Sequence, residues 1–323
     1  MEITILAFNY GYAGRFVNGP GMCLVNFVKF LNKIYPEIKV NIFTILKPTG
    51  DKWAPALSIS NSKALSRAIL SSDILHVWSG MSHGIPRAIN FANSLNKKII
   101  IGPNVLDTVE LEKERFFLKK IGYDKILAVN ERLSFRIAKE HKINLKDISV
   151  YQVGPDPDLW RPLEETDGSI LWKGNSKQFV KNIHFAKKIE QRLKGKYEFK
   201  YIGYPRPYNY FEHIEDAKRS KLLIVTSLSE TMGLAMAEAW QSGVPSVSHP
   251  KIYLHGENYK TGIITSYDVD SYVQAINEIM TDDRLYNHLS NGAIKYMEDN
   301  FSPSVIINNY MEILNEQKIP HPY

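Results

Sequence analysis

A single cysteine, Cys23, among 323 residues excludes any intramolecular disulfide, so stability has to come from packed cores. No apolar run approaches eighteen residues, and Met1 to Asn9 has no charged-then-apolar leader. Neither a membrane span nor a signal peptide is expected, and a soluble, reducing, cytoplasmic setting is. The chain also lacks Gly-x-Ser-x-Gly, a Walker A sequence and His-Glu-x-x-His, which removes the commonest hydrolase, P-loop and zinc-protease readings. His76 and His83 have no cysteine or histidine partners at metal-ligand spacing, and no metal site and no cofactor are expected. No repeat and no low-complexity tract is evident. What is present is a net charge of +6, with a pI near 9.0. That implies an affinity for anions: nucleotide phosphates, an anionic lipid surface or nucleic acid.

The length suits two domains of about 150 residues, each large enough for its own core. Along the chain, strand and helix patterns alternate. Strands are read at Glu2 to Phe8, Val40 to Leu46, Ile74 to Trp78, Lys98 to Ile101 and Ile126 to Val129. Helices are read at Met22 to Ile34, Ser60 to Leu70, Pro86 to Leu95, Glu110 to Lys120 and Glu131 to His141. A Pro-rich segment, Tyr151 to Pro162, is the linker candidate. Beyond it the alternation restarts with strands at Ser169 to Trp172, Phe199 to Ile202, Leu222 to Val225, Val244 to Ser248 and Gly262 to Thr265. Its helices are Ile183 to Leu193, Tyr210 to Lys218, Met232 to Gln241 and Val269 to Met280, with a helical tail from Asp283 to Glu316. Such alternation implies α/β architecture with parallel sheets, because every return between parallel strands needs a crossover.

The most informative stretch runs from Ser227 to Pro245. Glu230 falls on a strand-to-helix loop and Glu238 within the following helix, which Ser242, Gly243 and Pro245 end. Backbone N–H groups around Thr231, Met232, Gly233 and Leu234 would point out of the helix's positive end, and Gly233 lets a ligand approach the main chain. Were the helix unbroken between them, the two acids would lie about 12 Å apart, too far to share one proton or one metal. They would then serve different parts of one elongated ligand. The plainer alternative is a helix-end acid favoured by the macrodipole and a solvated helix glutamate.

An acid, seven residues, a second acid and then Ala-x-x-x-Gly-x-Pro resembles the signature of retaining GT-B glycosyltransferases of the family 4 type, the glycosyl transferases group 1. The resemblance implies two doubly wound Rossmann-like domains facing across a cleft. It divides the chain into an acceptor-side domain 1–153, a linker 154–163, a nucleotide-sugar-binding domain 164–300 and a tail 301–323 that could cross back to the first domain. Within the linker Gly154, Asp156, Trp160 and Pro162 match the family's interdomain stretch, while Val153 replaces its Asn. Glu230 is implied to lie by the donor sugar and Glu238 to bond the ribose hydroxyls. Gly19 and Gly21, in Gly-Pro-Gly ahead of the first helix, resemble the glycine-rich loop that meets the diphosphate; an ordinary turn reads the same way.

Lys173 to Lys181 resembles the segment that supplies an Arg and a Lys to the diphosphate, where fixed cations stabilise the departing nucleotide without a metal. Here Asn175 stands where the Arg is expected. Lys181 is therefore the main phosphate ligand candidate, with Lys173 or Lys177 as substitutes for the missing charge; a solvated lysine-rich loop is the alternative. Asn104, after Gly102-Pro103, replaces a family His. It can position a sugar hydroxyl but cannot carry a proton charge. His76 reads as a core or pocket-edge histidine, and His83, on the next loop, as an acceptor-side residue.

The implied activity is transfer of a sugar from a nucleotide-sugar donor to an unidentified acceptor, a hexosyltransferase of class EC 2.4. The acceptor hydroxyl would attack on the face the nucleotide leaves, with domain closure excluding water. A catalytically weak sugar-nucleotide binding or scaffold protein and a nucleotide-sugar epimerase stay open as alternatives. Specific nucleic-acid binding is not expected. The mixed aromatic and basic run Arg115 to Lys120 could touch an anionic membrane, or could be a helix with one buried face.

Overall fold

The computed structural model describes residues 1–8, 10, 19–46, 56–79, 84–104, 118, 122–205, 213–230, 232–252 and 257–316. These divide into two compact units, Met1–Val153 with Pro303–Tyr323, and Gly154–Ser302.

The first unit holds a seven-stranded sheet. Its strands are β1 (Glu2–Ala7), β2 (Lys39–Thr44), β3 (Ala56–Ser58), β4 (Ile74–Ser79), β5 (Lys98–Asn104), β6 (Lys125–Ala128) and β7 (Ile148–Val150). They run parallel in the order β3-β2-β1-β4-β5-β6-β7. Every residue of β4 and β6 is buried, as expected where helices cover both faces. Among the described residues before Gly154 the numbered helices are α1 (Gly19–Ile34), α2 (Ser62–Ser71), α3 (Ile85–Ser94) and α4 (Glu131–His141). Asn61 and Asn130 cap α2 and α4 by accepting from Ala64 N and Leu133 N. Gly19 and Gly21 lie in the first turn of α1, not on a loop ahead of it. A first helical turn tolerates Gly-Pro-Gly because its N–H groups have no intrahelical partner to lose.

The second unit holds a five-stranded parallel sheet of β8 (Ile170–Lys173), β9 (Phe199–Ile202), β10 (Leu222–Ile224), β11 (Ser246–Ser248) and β12 (Gly262–Ile264). Their order is β12-β11-β10-β8-β9. Around it lie α5 (Ile183–Arg192), α6 (Ile214–Arg219), α7 (Leu234–Gln241), α8 (Val269–Thr281) and α9 (Asp283–Phe301). Its core joins Trp172, Ile189, Ile224, Val247, Tyr272 and Ile276, all buried. The expected tail helix is two helices. α9 stops at Phe301, and Ser302, extended, leads into α10 (Pro303–Asn315), since the residue before a proline is pushed out of the helical region. The helix read at Glu110 to Lys120, and with it the membrane-contact segment, lies outside the described residues except for Leu118.

α10 packs on α1 in the first unit. Ile306, Ile307, Tyr310, Ile313 and Leu314 are its buried face. Its C-terminal carbonyls are satisfied by Lys98, whose Nζ donates to Leu314 O and, at 3.2 Å, to Glu316 O. Lys125 pairs with the Glu316 carboxylate.

Tyr310 reaches His76 on β4. The His76 ring stacks on Tyr310 at 5.5 Å and contacts Phe27 and Trp78. Its Nε2 lies 2.8 Å from Gly102 O, which can only accept, so Nε2 carries the proton and Nδ1 accepts from the Tyr310 hydroxyl at 2.9 Å. Burial pushes the imidazole down to about 4 despite that carbonyl, so it is a neutral core group. An unfolded histidine titrates near 6.5, so below that pH the unfolded chain takes up a proton that the folded one refuses. His76 should therefore cost roughly 3 kcal/mol of stability between about pH 6.5 and 4, the loss growing as pH falls. Urea unfolding of wild type and His76→Gln across that range checks this: the advantage of wild type should shrink as pH falls. A constant difference would place the proton elsewhere.

Candidate functional site

In the second unit the chain runs from β8 outward to β9, then returns to lay β10 on the other side of β8. Such a reversal opens a crevice at the carboxyl ends of the two strands, where open α/β sheets take their ligands. Lys173 ends β8, the segment leaving it carries Gly174 to Lys181, the loop leaving β10 carries Glu230, and α7 carries Glu238. A small pocket lies there, lined by Trp172, Lys173, Thr226, Ser227, Glu230 and Gly233 among others.

The two loops are tied to each other. Leu228 N donates to Val180 O at 2.7 Å, and Thr226 Oγ1 lies within reach of the Lys181 and Asn182 carbonyls at 3.1 and 3.2 Å. The Trp172 indole donates to Thr226 Oγ1 at 2.8 Å. The Tyr267 and Tyr272 hydroxyls donate to the carbonyls of Thr226 and Val225, and Asn182 Nδ2 donates to Tyr267. His249 Nε2 donates to Ser227 O at 2.7 Å, with burial holding this imidazole below its ordinary pKa. The start of the loop that precedes α7, Val225 to Leu228, is thus fastened from outside it.

On this frame the acids and lysines form two pairs. Lys181 Nζ lies 2.5 Å from Glu230 Oε1, which also accepts from Ser227 Oγ at 2.5 Å. Their side chains are 22% and 14% exposed, so the pair borders solvent. Lys173 Nζ lies 2.6 Å from Glu238 Oε2, with side chains only 5% and 3% exposed. The Lys173 ammonium also sits 4.3 Å from the centroid of the Trp160 ring. The sequence pattern groups the two lysines as cations for one phosphate chain and the two acids as separate ligand contacts. The fold instead couples each lysine to one acid.

Gly233 takes a left-handed conformation (φ 64°) at the entry to α7, which begins at Leu234 with no side-chain cap. Its carbonyl accepts from Met236 N and Ala237 N. Met232 is buried beside it. Asn175 is exposed and its Oδ1 accepts from Lys177 N, closing a turn; Lys177 is exposed too. In the first unit Asn104 ends β5, Gly19 opens α1 and Gly21 follows in its first turn. Thr231 and His83 lie outside the described residues, as does the side chain of Asn104. Among the described residues no group of three or more His, Cys, Asp or Glu is placed to hold a metal ion, and no helix is long and apolar enough to cross a membrane.

Residues 178–296 match the glycosyl transferases group 1 family. That segment contains Lys181, Glu230 and Glu238, and it supports a transferase of class EC 2.4. Solved structures share the whole fold at low identity. HepE of Anabaena, solved with UDP and glucose, is 12% identical with a TM-score of 0.73, over 97% of this chain and 99% of that one. A glycosyltransferase from Rickettsia africae is 14% identical with a TM-score of 0.68, over 98% and 99%. Sucrose-phosphate synthase from Thermosynechococcus elongatus is 11% identical with a TM-score of 0.67, over 97% and 98%. The fold is GT-B, built from two doubly wound units. No curated protein matches the chain.

Proposed function

We propose that the protein is a retaining, metal-independent glycosyltransferase that moves a sugar from a nucleotide-sugar donor to an acceptor hydroxyl. The observation that carries this reading is the solvent-bordering Lys181–Glu230 pair at the chain-reversal crevice, inside the segment that matches the glycosyl transferases group 1. In it Lys181 takes the diphosphate, the main chain at Gly233 approaches a phosphate, Glu238 bonds the ribose and Glu230 faces the donor sugar. A cation placed where the leaving nucleotide gains charge stabilises the transition state more than the ground state. The departing phosphate oxygen receives the acceptor's proton, so no enzymic base is required. Complexes of the Anabaena protein with UDP and with UDP-glucose make UDP the first nucleotide to test.

One observation favours a second reading. Asn175, where a second cation was expected, serves only to close a surface turn, which suits a protein that binds a nucleotide sugar and turns it over slowly.

A thermal-shift screen against UDP, GDP, ADP, CMP and their sugar conjugates, with and without EDTA, tests the donor site. One nucleoside diphosphate should raise the melting temperature regardless of EDTA, because a ligand selective for the folded state must stabilise it. No shift with any of them would reject the site. Lys181→Met should then weaken that nucleotide by roughly 10-fold or more, the worth of a charge-assisted contact. Unchanged affinity would remove Lys181 from the diphosphate.

A further inference from the structure

We infer that Lys173 is a positioning residue, held between the Trp160 ring and Glu238, and that it fixes the Glu238 carboxylate for the ribose instead of contacting phosphate. The inference rests on the proposed donor site and gives one part of it a mechanism.

Three separate segments of the second unit build the arrangement. Lys173 is the last residue of β8, Glu238 lies in α7, and Trp160 follows a turn in which Asp156 O accepts from Leu159 N and Trp160 N. Asp156 Oδ1 tightens that turn by accepting from Asp158 N at 3.1 Å. The turn is fastened to α7 as well, since Ser242 Oγ, just past the helix, lies 3.1 Å from both Trp160 O and Glu238 O. Trp160 is therefore tied by its backbone to the helix that carries Glu238, and by its ring to the lysine that holds Glu238.

The geometry separates the two lysines. Lys181 borders solvent and its partner can release it to an incoming anion. Lys173 has a carboxylate on one side, an aromatic face on another and almost no exposure. A desolvated ammonium in this setting gains from both neighbours, and pulling it towards a phosphate would take a cation from a buried carboxylate. A carboxylate so held accepts hydrogen bonds in a fixed direction, which a pair of ribose hydroxyls requires.

Calorimetric titration of the full chain with UDP and with GDP, each beside its 2′,3′-dideoxy analogue, tests this. Wild type should bind one of the two ribonucleotides about 10-fold or more tighter than its dideoxy analogue, the worth of hydrogen bonds to a charged group. Lys173→Met and Trp160→Leu should lose most of that ratio while holding the dideoxy nucleotide as wild type does, and Lys173→Arg should restore it in part. Because Lys173→Met takes the ammonium from a buried carboxylate, the doubly neutral Lys173→Met/Glu238→Gln is the companion variant. It should fold and show no ribose preference. Equal weakening of both nucleotides by Lys173→Met would make Lys173 a phosphate ligand, and a ribose preference surviving in the double variant would detach the pair from the ribose; either overturns the inference. A wild type that binds neither UDP nor GDP is titrated with ADP and CMP and their dideoxy analogues in the same way; no binding by any of the four would overturn the donor site itself, and the assignment with it.

Discussion

A chain that stops at Ser302 should fail to fold its first unit. α10 contributes five buried side chains to that unit, Ile306, Ile307, Tyr310, Ile313 and Leu314. At about 2 kcal/mol each their burial is worth on the order of 10 kcal/mol, comparable with the whole stability of a typical domain. The loss does not stop at area. Without Tyr310 the His76 Nδ1 loses both its hydrogen bond and the ring stacked on it, and Lys98 loses the carbonyls it caps. Hydrogen exchange of the chain 1–302 should show strands β1 and β4 unprotected, whereas the second unit, which supplies its own core, should keep protection. Native-like protection of β1 and β4 in that shortened chain would mean that α10 only decorates the unit. Tyr310→Ala in the full chain should reproduce part of the effect.

Replacing Glu230 by Gln should separate turnover from binding. Glu230 pairs with Lys181, so a phosphate that takes Lys181 has to compete with a carboxylate. A neutral amide competes less well for the ammonium, and nucleotide affinity should stay level or rise. The group facing the donor sugar is meanwhile lost, and turnover should fall by about 100-fold, the scale of losing one well-placed contact at the reacting centre. Nucleotide titration and steady-state rates on one preparation check both halves. Turnover close to wild type would make Glu230 a helix-end acid whose business is only with Lys181 and Ser227.

Much of the architecture is written in local pattern. β1, β4, β5 and β8 are apolar runs bounded by turn residues, and α4, α5 and α8 have clear helical spacing, so their places follow from the sequence. β3 and β7 do not. Each is three residues long, and each exists because a neighbour's edge offers hydrogen bonds, which no window of sequence contains. Glu230 and Glu238 are legible from their spacing and from the glycine beside them. The coupling of Lys173 to Glu238 is not, because 65 residues separate them and the pairing arises only when β10 returns beside β8. A faint signal was there: a lysine that directly follows Ile-Leu-Trp ends a buried strand, and a charge in that place needs a partner. Trp160 stands in the sequence as the aromatic of a Pro-rich stretch that resembles the family's interdomain segment, but its closeness to Lys173 does not, because the Asp156 turn and Ser242 aim it.

The division of the chain also has a bearing on its synthesis. The first unit takes its early strands from residues before Gly154 and its closing helix from residues after Ser302, so the second unit is in effect an insertion. On the ribosome, where chains grow at about 5–20 residues per second and domains fold as they emerge, the inserted unit is complete before the unit that began first. During that interval the apolar surface of α1 and β4 that α10 will cover, at Phe27 and His76, stays open. The early product of translation is the later product of folding, and chaperone demand during expression should fall on the amino-terminal strands.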